Sequence, residues 1–458
     1  MASRAAARKD PVDAVLADLP RGIGADVRWT RSKWTTIRFA NSRIHQPHAE
    51  ETVHLSVRVA DERRLGTATT TDTSPGGLRE VVRSARALAR IAPAEARFPG
   101  FPRDGPPRPR PVAFSRTTAA LDPEAATRIA ERILAAAEAH ASGARIAGVV
   151  NVGSERRRVA NTAGLDRTTE TSAAQSSVLA DRPERDPPVS GWSEGAHWDV
   201  ARLEPDRQGR EAAERIARTP PAAVAPGAYR VVLRGSAVAD LVSYLAMMGF
   251  GGVAEERGWS CLRRQRGRRI APTTVHLVDD ARSNASLPSG IDYEGTATRT
   301  TPLIDHGVVG PAVTDVVTSG RLGRPLTGHA LPPESPYGDM GPIPTHLLLD
   351  GGDASEDDLV RATRRGLLVT RFHYVRVVDP GRGIITGMTR DGTYRIEHGE
   401  IAGPARNLRF TESVLVALRG TEMLGRARRC YGSERAGSAA TCPALLTKSF
   451  RFTSATLF

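Results

Sequence analysis

The sequence predicts an α+β fold, with an α/β N-terminal half, a β-rich C-terminal half and a boundary near residue 220. Strand-like alternation and helical periodicity take turns over the first half, whereas the second half shows mostly the period-2 pattern of strands. The proline-rich stretch 219–229 separates the halves, because proline removes backbone donors and interrupts regular elements. A chain of 458 residues is long enough for two or three domains, and it shows no fixed-period repeat.

The N-terminal half begins with two predicted strands and a helix. Residues 35–46 and 52–71 alternate apolar and polar side chains, as half-buried strands do. The segment 75–92 changes to a helical period, and its apolar side chains share one side of the helix: Leu78, Val81, Val82, Ala85, Leu88 and Ile91. The next segment, 98–111 (FPGFPRDGPPRPRP), is too rich in proline for a regular element, so we predict a linker or an extended strap.

A second helix is predicted at 122–141. Asp122 is placed to cap it, and Pro123 at the first helical position has the φ that a helix start requires. Strand-like segments follow around 145–170. The resulting division is an N-terminal α/β domain at 1–97, a Pro-rich linker at 98–118, a middle helix and strand segment at 119–220 that completes the N-terminal half, and a β-rich C-terminal domain at 221–458.

The C-terminal half opens with a predicted strand, 229–234, and a helix, 236–250, for which Ser236 is the expected N-cap. An apolar stripe predicts that this helix is buried: Val238, Leu241, Val242, Leu245 and Met248. Three glycines close it: Gly249, Gly251 and Gly252. We interpret them as a helix end that requires positive φ. Strand-like segments follow at 273–280, 345–350, 366–379, 393–401 and 442–458.

The formal charge of +13 raises the question of a nucleic-acid partner. Only Lys9, Lys33 and Lys448 are lysines, so arginine supplies nearly all of the 64 basic residues, and the arginines are spread along the whole chain. The densest group, 261–269 (CLRRQRGRR), has no interleaved aromatic residue for base stacking. We therefore expect a solvated or ion-paired surface, and the sequence disfavours a nucleic-acid partner.

Cysteine spacing and apolar run lengths argue against several classes of protein. Cys261, Cys430 and Cys442 form an odd set without CxxC spacing, which predicts neither a disulfide framework nor a cysteine zinc ribbon. The apolar runs fall far short of the roughly 18 residues that span a bilayer. The start, MASRAAARKDP, lacks the apolar core of a secretory signal. We expect a cytoplasmic protein without a membrane partner.

No catalytic centre can be assembled from the residues alone. Residues 249–254 match GxGxxG/A, but a helix precedes them, whereas a dinucleotide site needs a strand before the glycines and a helix start after them. Residues 258–262 (GWSCL) lack the second glycine of GxSxG, and neither HExxH nor a GKS/GKT phosphate loop is present. His45, His48 and the lone His373 are expected to be ordinary surface or cleft histidines.

An ordered series of segments is more specific than any of these motifs. It comprises PGAYRVVL (226–233), GWS (258–260), VHLVDD (275–280), IDYEGTATRTTPLIDHGVV (291–309), GLLVTRF (366–372) and GTYRIEHGEI (392–401), preceded by IRFANSRI (37–44) and RLGTATTTDTSPGGLREVV (64–82). Together these segments resemble the TldD/PmbA family, also called the modulator of DNA gyrase family. The resemblance covers nearly the whole chain, and it implies a barrel-like C-terminal domain.

In TldD-type members of this family, the helix corresponding to 236–250 carries a zinc motif, HExxxH, shortly before Gly-x-Ser. Counting back from the GWS segment, the two His positions fall on Ser243 and Met248 and the Glu position falls on Tyr244. A hydroxyl, a thioether and a phenol cannot replace two imidazoles and a general-base carboxylate. TldD-type chains add a late cysteine ligand, for which Cys430 is the nearest match, but one thiol cannot hold a catalytic metal. The resemblance therefore implies no metal ligand and no catalytic residue in this chain.

A chain without these ligands is similar to the TldE/PmbA-like branch of the family. The resemblance implies a non-zinc subunit of a cytoplasmic heterodimeric metallopeptidase that degrades or processes unfolded peptides, with zinc in a TldD-like partner and an isolated chain that is inactive. This chain would supply a cavity wall and contacts to the peptide. The candidate lining residues are Tyr293, Glu294, Thr298, Arg299, His306 and His373. A core strand with turns explains the segment 291–309 equally well.

Two other functions stay open from the sequence. One is a nucleic-acid- or topoisomerase-associated binding protein, for which the charge of +13 is the sole support. The other is a homodimeric scaffold linked to the maturation of peptide natural products. A zinc-motif relative encoded beside this chain would argue against a self-sufficient homodimer.

Overall fold

The chain folds around two β-sheets. The computed structural model describes residues 10–105, 114–182, 184, 189–216, 219–335, 337–431 and 439–456. A six-stranded sheet ends at His197, and an 11-stranded sheet begins at Gly227. The change from a mixed pattern to a β-rich pattern near residue 220 therefore falls between the sheets, and the fold is α+β, as the sequence predicts.

The N-terminal sheet is antiparallel throughout, in the order β3-β2-β1-β4-β5-β6. Its strands are β1 (Gly24–Ala40), β2 (Arg43–Asp61), β3 (Arg64–Thr70), β4 (Arg145–Asn161), β5 (Asp166–Arg182) and β6 (Val189–His197). Residues 35–46, predicted as one strand, contain the turn between β1 and β2, where Asn41 and Ser42 have φ of 50° and 58°. Because β4 pairs with β1, the middle segment and the first domain share one sheet.

Helices pack against this sheet. They are α1 (Pro11–Asp18), α2 (Pro75–Ile91), α3 (Arg116–Ala119), α4 (Pro123–His140) and α5 (Pro205–Glu214). The start of α4 is confirmed, since the Asp122 side chain accepts a hydrogen bond from the Ala125 amide. The predicted face of α2 is wrong at its end, where Leu88 is 44% and Ile91 81% exposed. The helix turns Ala85 and Ala89 toward β3 instead, so closely that a Cβ on Gly66 would meet their backbone.

The Pro-rich linker predicted at 98–118 is only partly visible, because 106–113 lie outside the described residues. Phe98 and Phe101 pack edge to face, with ring centroids 5.3 Å apart, and Phe101 is buried. At the other end of the segment, α3 begins within the predicted linker. The described part is thus an ordered strap with one apolar anchor.

The C-terminal sheet contains a closed ring of strands. Its strands are β7 (Gly227–Leu233), β8 (Leu277–Asp279), β9 (Thr301–Asp305), β10 (Val308–Val309), β11 (Leu347–Leu349), β12 (Arg365–Asp379), β13 (Ile384–Glu397), β14 (Glu400–Pro404), β15 (Leu408–Ser413), β16 (Thr421–Cys430) and β17 (Ala440–Ala455). The order β17-β15-β13-β12-β7 closes on itself, because β17 also pairs with β7. This closure makes the domain barrel-like, and β8 to β11 extend the sheet beyond it.

The longest helix of this domain, α6, packs against the ring. The helices here are α6 (Gly235–Phe250), α7 (Gly252–Glu256), α8 (Val316–Leu322), α9 (Glu356–Ala362) and α10 (Val414–Arg419). The apolar stripe predicted for α6 is buried throughout. It shares one core cluster with aromatic side chains of the ring, Phe372, Phe410 and Phe450. The ring and α6 therefore form a single core.

Two details of α6 differ from the sequence prediction. The N-cap is Arg234, and Ser236 lies one residue inside the helix, where its hydroxyl donates to Glu194 of β6. The three glycines that follow do not have positive φ. They are required by close packing, since a Cβ on Gly252 would lie 2.6 Å from the Val313 carbonyl oxygen. Among the described residues, no helix combines the length and apolarity needed to cross a bilayer.

Candidate functional site

The zinc-motif positions of α6 face the core. Tyr244 and Met248 are buried, with 7% and 3% exposure, and Ser243 is half-buried. The Tyr244 hydroxyl donates a 2.6 Å hydrogen bond to the carbonyl of Val375 in β12. Across the part of the chain that the structure describes, no group of three His, Cys, Asp or Glu side chains placed to hold a metal includes a residue of α6. The donor set at these positions does not fit zinc.

The Gly-x-Ser segment after α6 has a structural role. The Ser260 hydroxyl donates 2.7 Å to the carbonyl of Gly249, at the end of α6, and accepts from the Leu262 amide. Arg266 donates to the same Gly249 carbonyl at 2.7 Å and to Glu255 at 2.8 Å. These contacts satisfy one of the last carbonyls of the helix, that of Gly249. Part of the arginine cluster at 261–269 is therefore committed to internal contacts, which weakens the nucleic-acid reading of that cluster.

Cys430 lies at the opposite end of the helix from its C-terminal glycines. A Cβ on Gly235 would lie 2.9 Å from the Cys430 sulfur, so this thiol packs beside the first residue of α6. Ser243 is about 12 Å further along the helix, at 1.5 Å per residue. Burial raises the pKa of the Cys430 thiol well above its usual value, which disfavours the thiolate that zinc requires. Cys430 and the degenerate positions therefore do not form one site.

A cavity of about 370 Å³ lies where the N-terminal sheet meets loops of the C-terminal domain. Strands β1, β4 and β5 form one wall, and the loops at 287–298 and 328–346 form the other. Its polar lining includes Arg157, Asp292, His329 and His346, beside apolar and aromatic side chains. A volume of this size is in the range of ligand-binding pockets, about 300–1,000 Å³.

The predicted lining residues divide into three groups. Tyr293 and Thr298 line this cavity. Glu294 is buried beside them but binds Arg58, and Arg299 is not among the described residues that line the cavity. His306 is exposed in the turn between β9 and β10, and His373 is half-buried in β12. The six residues thus do not form one surface, because β9 carries His306 away from the loop that holds Tyr293.

Two histidines keep a buried aspartate ionised on one side of the cavity. Burial acts to raise the pKa of Asp279, but His329, with Nε2 3.1 Å from the carboxylate, and His346 outweigh it and hold that pKa at about 2. The amides of Thr345 and His346 each donate 2.7 Å to the same carboxylate oxygen. Burial in turn lowers the pKa of His346. Asp279 is therefore a fixed anion that contacts the His329 imidazole and the His346 amide at the cavity wall.

Arginines of the N-terminal sheet, which the sequence analysis did not single out, tie the two domains together around the cavity. The Arg157 guanidinium lies 3.4 Å from the centroid of the Tyr293 ring and donates to the Ile291 carbonyl. Arg58 donates 2.6 Å to Glu294. The partners in each contact are more than a hundred residues apart in the sequence, so no local pattern reveals them. The one usable signal was the alternation along each strand, which predicts the positions that face inward.

Comparison with known proteins agrees with this architecture. The family model described as PmbA/TldA metallopeptidase C-terminal domain matches residues 226–454, domain 1 matches 25–89, and the central domain matches 116–219. Among curated proteins, a "Metalloprotease" of Methanothermobacter thermautotrophicus is 29% identical over 37% of this chain and 36% of its own length. A "Zinc metalloprotease TldD homolog" of Saccharolobus solfataricus is 25% identical over 36% of this chain and 37% of its own length. These alignments span little more than a third of either relative.

Solved structures share the fold over nearly the full length. TldE from Thermococcus kodakarensis aligns with a TM-score of 0.83 and 20% identity, over 94% of this chain and 96% of that one. A candidate modulator of a DNA gyrase from Thermotoga maritima aligns with a TM-score of 0.81 and 18% identity, over the same shares. The C-terminal family model alone covers half of the 458 residues. The chain therefore belongs to the PmbA/TldD metallopeptidase family.

Proposed function

We propose that this chain is the non-zinc, TldE-like subunit of a cytoplasmic heterodimeric metallopeptidase that degrades or processes unfolded peptides. Its partner would be a family member with the HExxxH motif, which would hold the zinc. The substrate would be an unstructured or leader-type peptide. The isolated chain would not cleave peptides.

The main support for this proposal is the chemistry of the side chains at the zinc-motif positions of α6. Ser243, Tyr244 and Met248 offer no imidazole or carboxylate, and the Tyr244 hydroxyl donates a hydrogen bond to the Val375 carbonyl in β12. A catalytic zinc needs three protein ligands from His, Cys or carboxylate side chains and an open fourth position. A family member whose α6 lacks this set fits the role of a companion to one whose α6 carries it.

The interdomain cavity supports a role in holding peptide. Its wall combines the Tyr293 ring, the imidazoles of His329 and His346, and the Arg157 guanidinium. These groups can donate to or accept from peptide amides without reading one side chain, which suits a broad range of unfolded sequences. The three cysteines are free and buried, which is consistent with a reducing compartment.

Co-purification tests the proposal. A tagged form of this chain is co-expressed with the HExxxH family member from the same genome, and the eluate is analysed for stoichiometry by size exclusion with light scattering. We expect a complex with both chains in equal number. A stable homodimer that ignores the zinc-motif chain would contradict the proposal and would favour a homodimeric scaffold.

A further inference from the structure

Three side chains that could hold a metal ion converge beside the hairpin of β9 and β10. His276 directly precedes β8, which pairs with β9, and Asp305 is the last residue of β9. His306 and Gly307 form the two-residue turn, with φ of 45° and 84°. Positive φ at both positions is the geometry of a type I′ turn. Strand pairing and turn therefore place two imidazoles and a carboxylate together.

The distances suit a small cation. The His276 Nδ1 lies 3.2 Å from an Asp305 carboxylate oxygen, and the His306 Nε2 lies 3.9 Å from the same oxygen. One ligand atom from each of the three lies within 4.8 Å of the other two. Tetrahedral zinc, with bonds of about 2.0–2.2 Å, sets ligand atoms roughly 3.4 Å apart. The His276 and His306 rings are stacked, with centroids 4.6 Å apart, so metal binding requires the exposed Asp305 and His306 side chains to rotate.

The ring hydrogen bonds leave the Nε2 lone pair of His306 free. The His306 Nδ1 lies 3.1 Å from the Thr273 carbonyl, which can only accept, so Nδ1 carries the proton and Nε2 keeps its lone pair. The His276 Nδ1 accepts a long, 3.4 Å hydrogen bond from the His306 amide, and a metal bound to this nitrogen would replace that bond. A histidine ligand whose other nitrogen donates to a backbone carbonyl is the usual arrangement at metal sites. The free His306 Nε2 and the Asp305 carboxylate are acceptors that a metal would bring together with the His276 Nδ1.

Hydrogen bonds to neighbouring segments fix the conformation of this turn. The His306 carbonyl accepts from Arg269, the Gly307 carbonyl accepts from the Ile270 amide, and the Gly307 amide donates to the Val275 carbonyl. These bonds fix the backbone that carries His306 relative to the segment that carries His276. The ligands are therefore largely preorganised, and only side-chain rotations remain.

We propose that His276, Asp305 and His306 form a zinc-binding site beside the β9–β10 hairpin, separate from α6 and independent of the peptidase proposal. Two imidazoles and one carboxylate favour zinc over magnesium or calcium, which prefer oxygen ligands alone. The fourth position is open to water. Bound zinc links the residue before β8 to the hairpin turn and stabilises this edge of the sheet by mass action.

The test is equilibrium binding of ZnCl₂ to the full chain, with His306→Asn and Asp305→Asn as variants. Asparagine tolerates the positive φ of position 306, so the turn is kept. The matched control is His398→Asn, because Glu397, His398 and Gly399 form a second acid–His–Gly turn, in which His398 has φ of 56°.

We expect the wild type and the control to bind one equivalent of zinc at this site, and each of the two site variants to bind it at least about tenfold more weakly. Equal zinc binding by the wild type and both site variants, or no saturable binding by the wild type, would overturn the proposal. Far-UV circular dichroism verifies that each variant is folded.

Discussion

The buried ion pair between the two domains yields the sharpest stability prediction. Arg58 of β2 lies 2.6 Å from Glu294 and 3.2 Å from Asp26, and the three side chains are 17%, 7% and 7% exposed. Replacing Arg58 with Met keeps the aliphatic stem but leaves two buried carboxyl groups without their cation. Breaking a buried pair in this way costs about 3–5 kcal/mol. Because a carboxyl group can take up a proton, we expect the lower end, about 3 kcal/mol.

Arg31→Met is the matched control on the same sheet. Arg31 pairs with Glu51, but these side chains are 45% and 42% exposed, and exposed pairs contribute about 0–1 kcal/mol. Urea unfolding of the full chain, followed by tryptophan fluorescence at pH 7.5, compares the midpoints of the two variants with the wild type. Costs for Arg58→Met and Arg31→Met that agree within about 1 kcal/mol would refute the view that this pair is a buried interdomain contact.

Three further predictions concern single side chains. Burial raises the pKa of Glu294 above its value in the unfolded chain, so the wild type should lose stability as pH rises above about 4.5, and Glu294→Gln should become more stable relative to it by up to about 1.4 kcal/mol per pH unit. Parallel melting curves from pH 5 to 8 would contradict this. Tyr244→Phe removes the bond to Val375 and should cost about 0.5–1.5 kcal/mol in urea unfolding without lowering peptide cleavage by the proposed complex; a folded variant whose complex is inactive would assign Tyr244 a catalytic role. Gly252→Ala, whose Cβ would lie 2.6 Å from a backbone oxygen, should cost about 1–3 kcal/mol, whereas Gly76→Ala, with space around it, should cost less than 1 kcal/mol; equal melting temperatures would argue against close packing at Gly252.

Local sequence patterns predict where the helices and strands of this fold lie better than they predict which sides of those elements are buried. The start of α4 follows from Asp122 and Pro123, and the buried stripe of α6 follows from its period, because both depend on residues a few positions apart. The exposure of Leu88 and Ile91 could not be predicted, since the orientation of α2 is set by the close approach of Gly66 on β3. The N-cap of α6 could not be predicted for the same reason, because the Ser236 hydroxyl makes a tertiary hydrogen bond to Glu194 instead of capping the helix.

The candidate site, too, could be predicted from the sequence only in part. The sequence contains no His-Glu dipeptide, so the lack of zinc ligands at Ser243, Tyr244 and Met248 could be read directly from the chain. The cavity could not, because its walls come from strands and loops that are more than a hundred residues apart. The paired histidines His276 and His306 are thirty residues apart, and only the pairing of β8 with β9 brings them together.

Hydrolysis of an unstructured peptide, measured for this chain alone, for its zinc-motif relative alone and for the two combined, tests most directly whether the chain is a companion to the zinc-bearing subunit. The account predicts cleavage by the combined sample, loss of that cleavage with a chelator, and no cleavage by this chain alone even when ZnCl₂ is added. Cleavage by this chain alone at the rate of the combined sample would contradict the account.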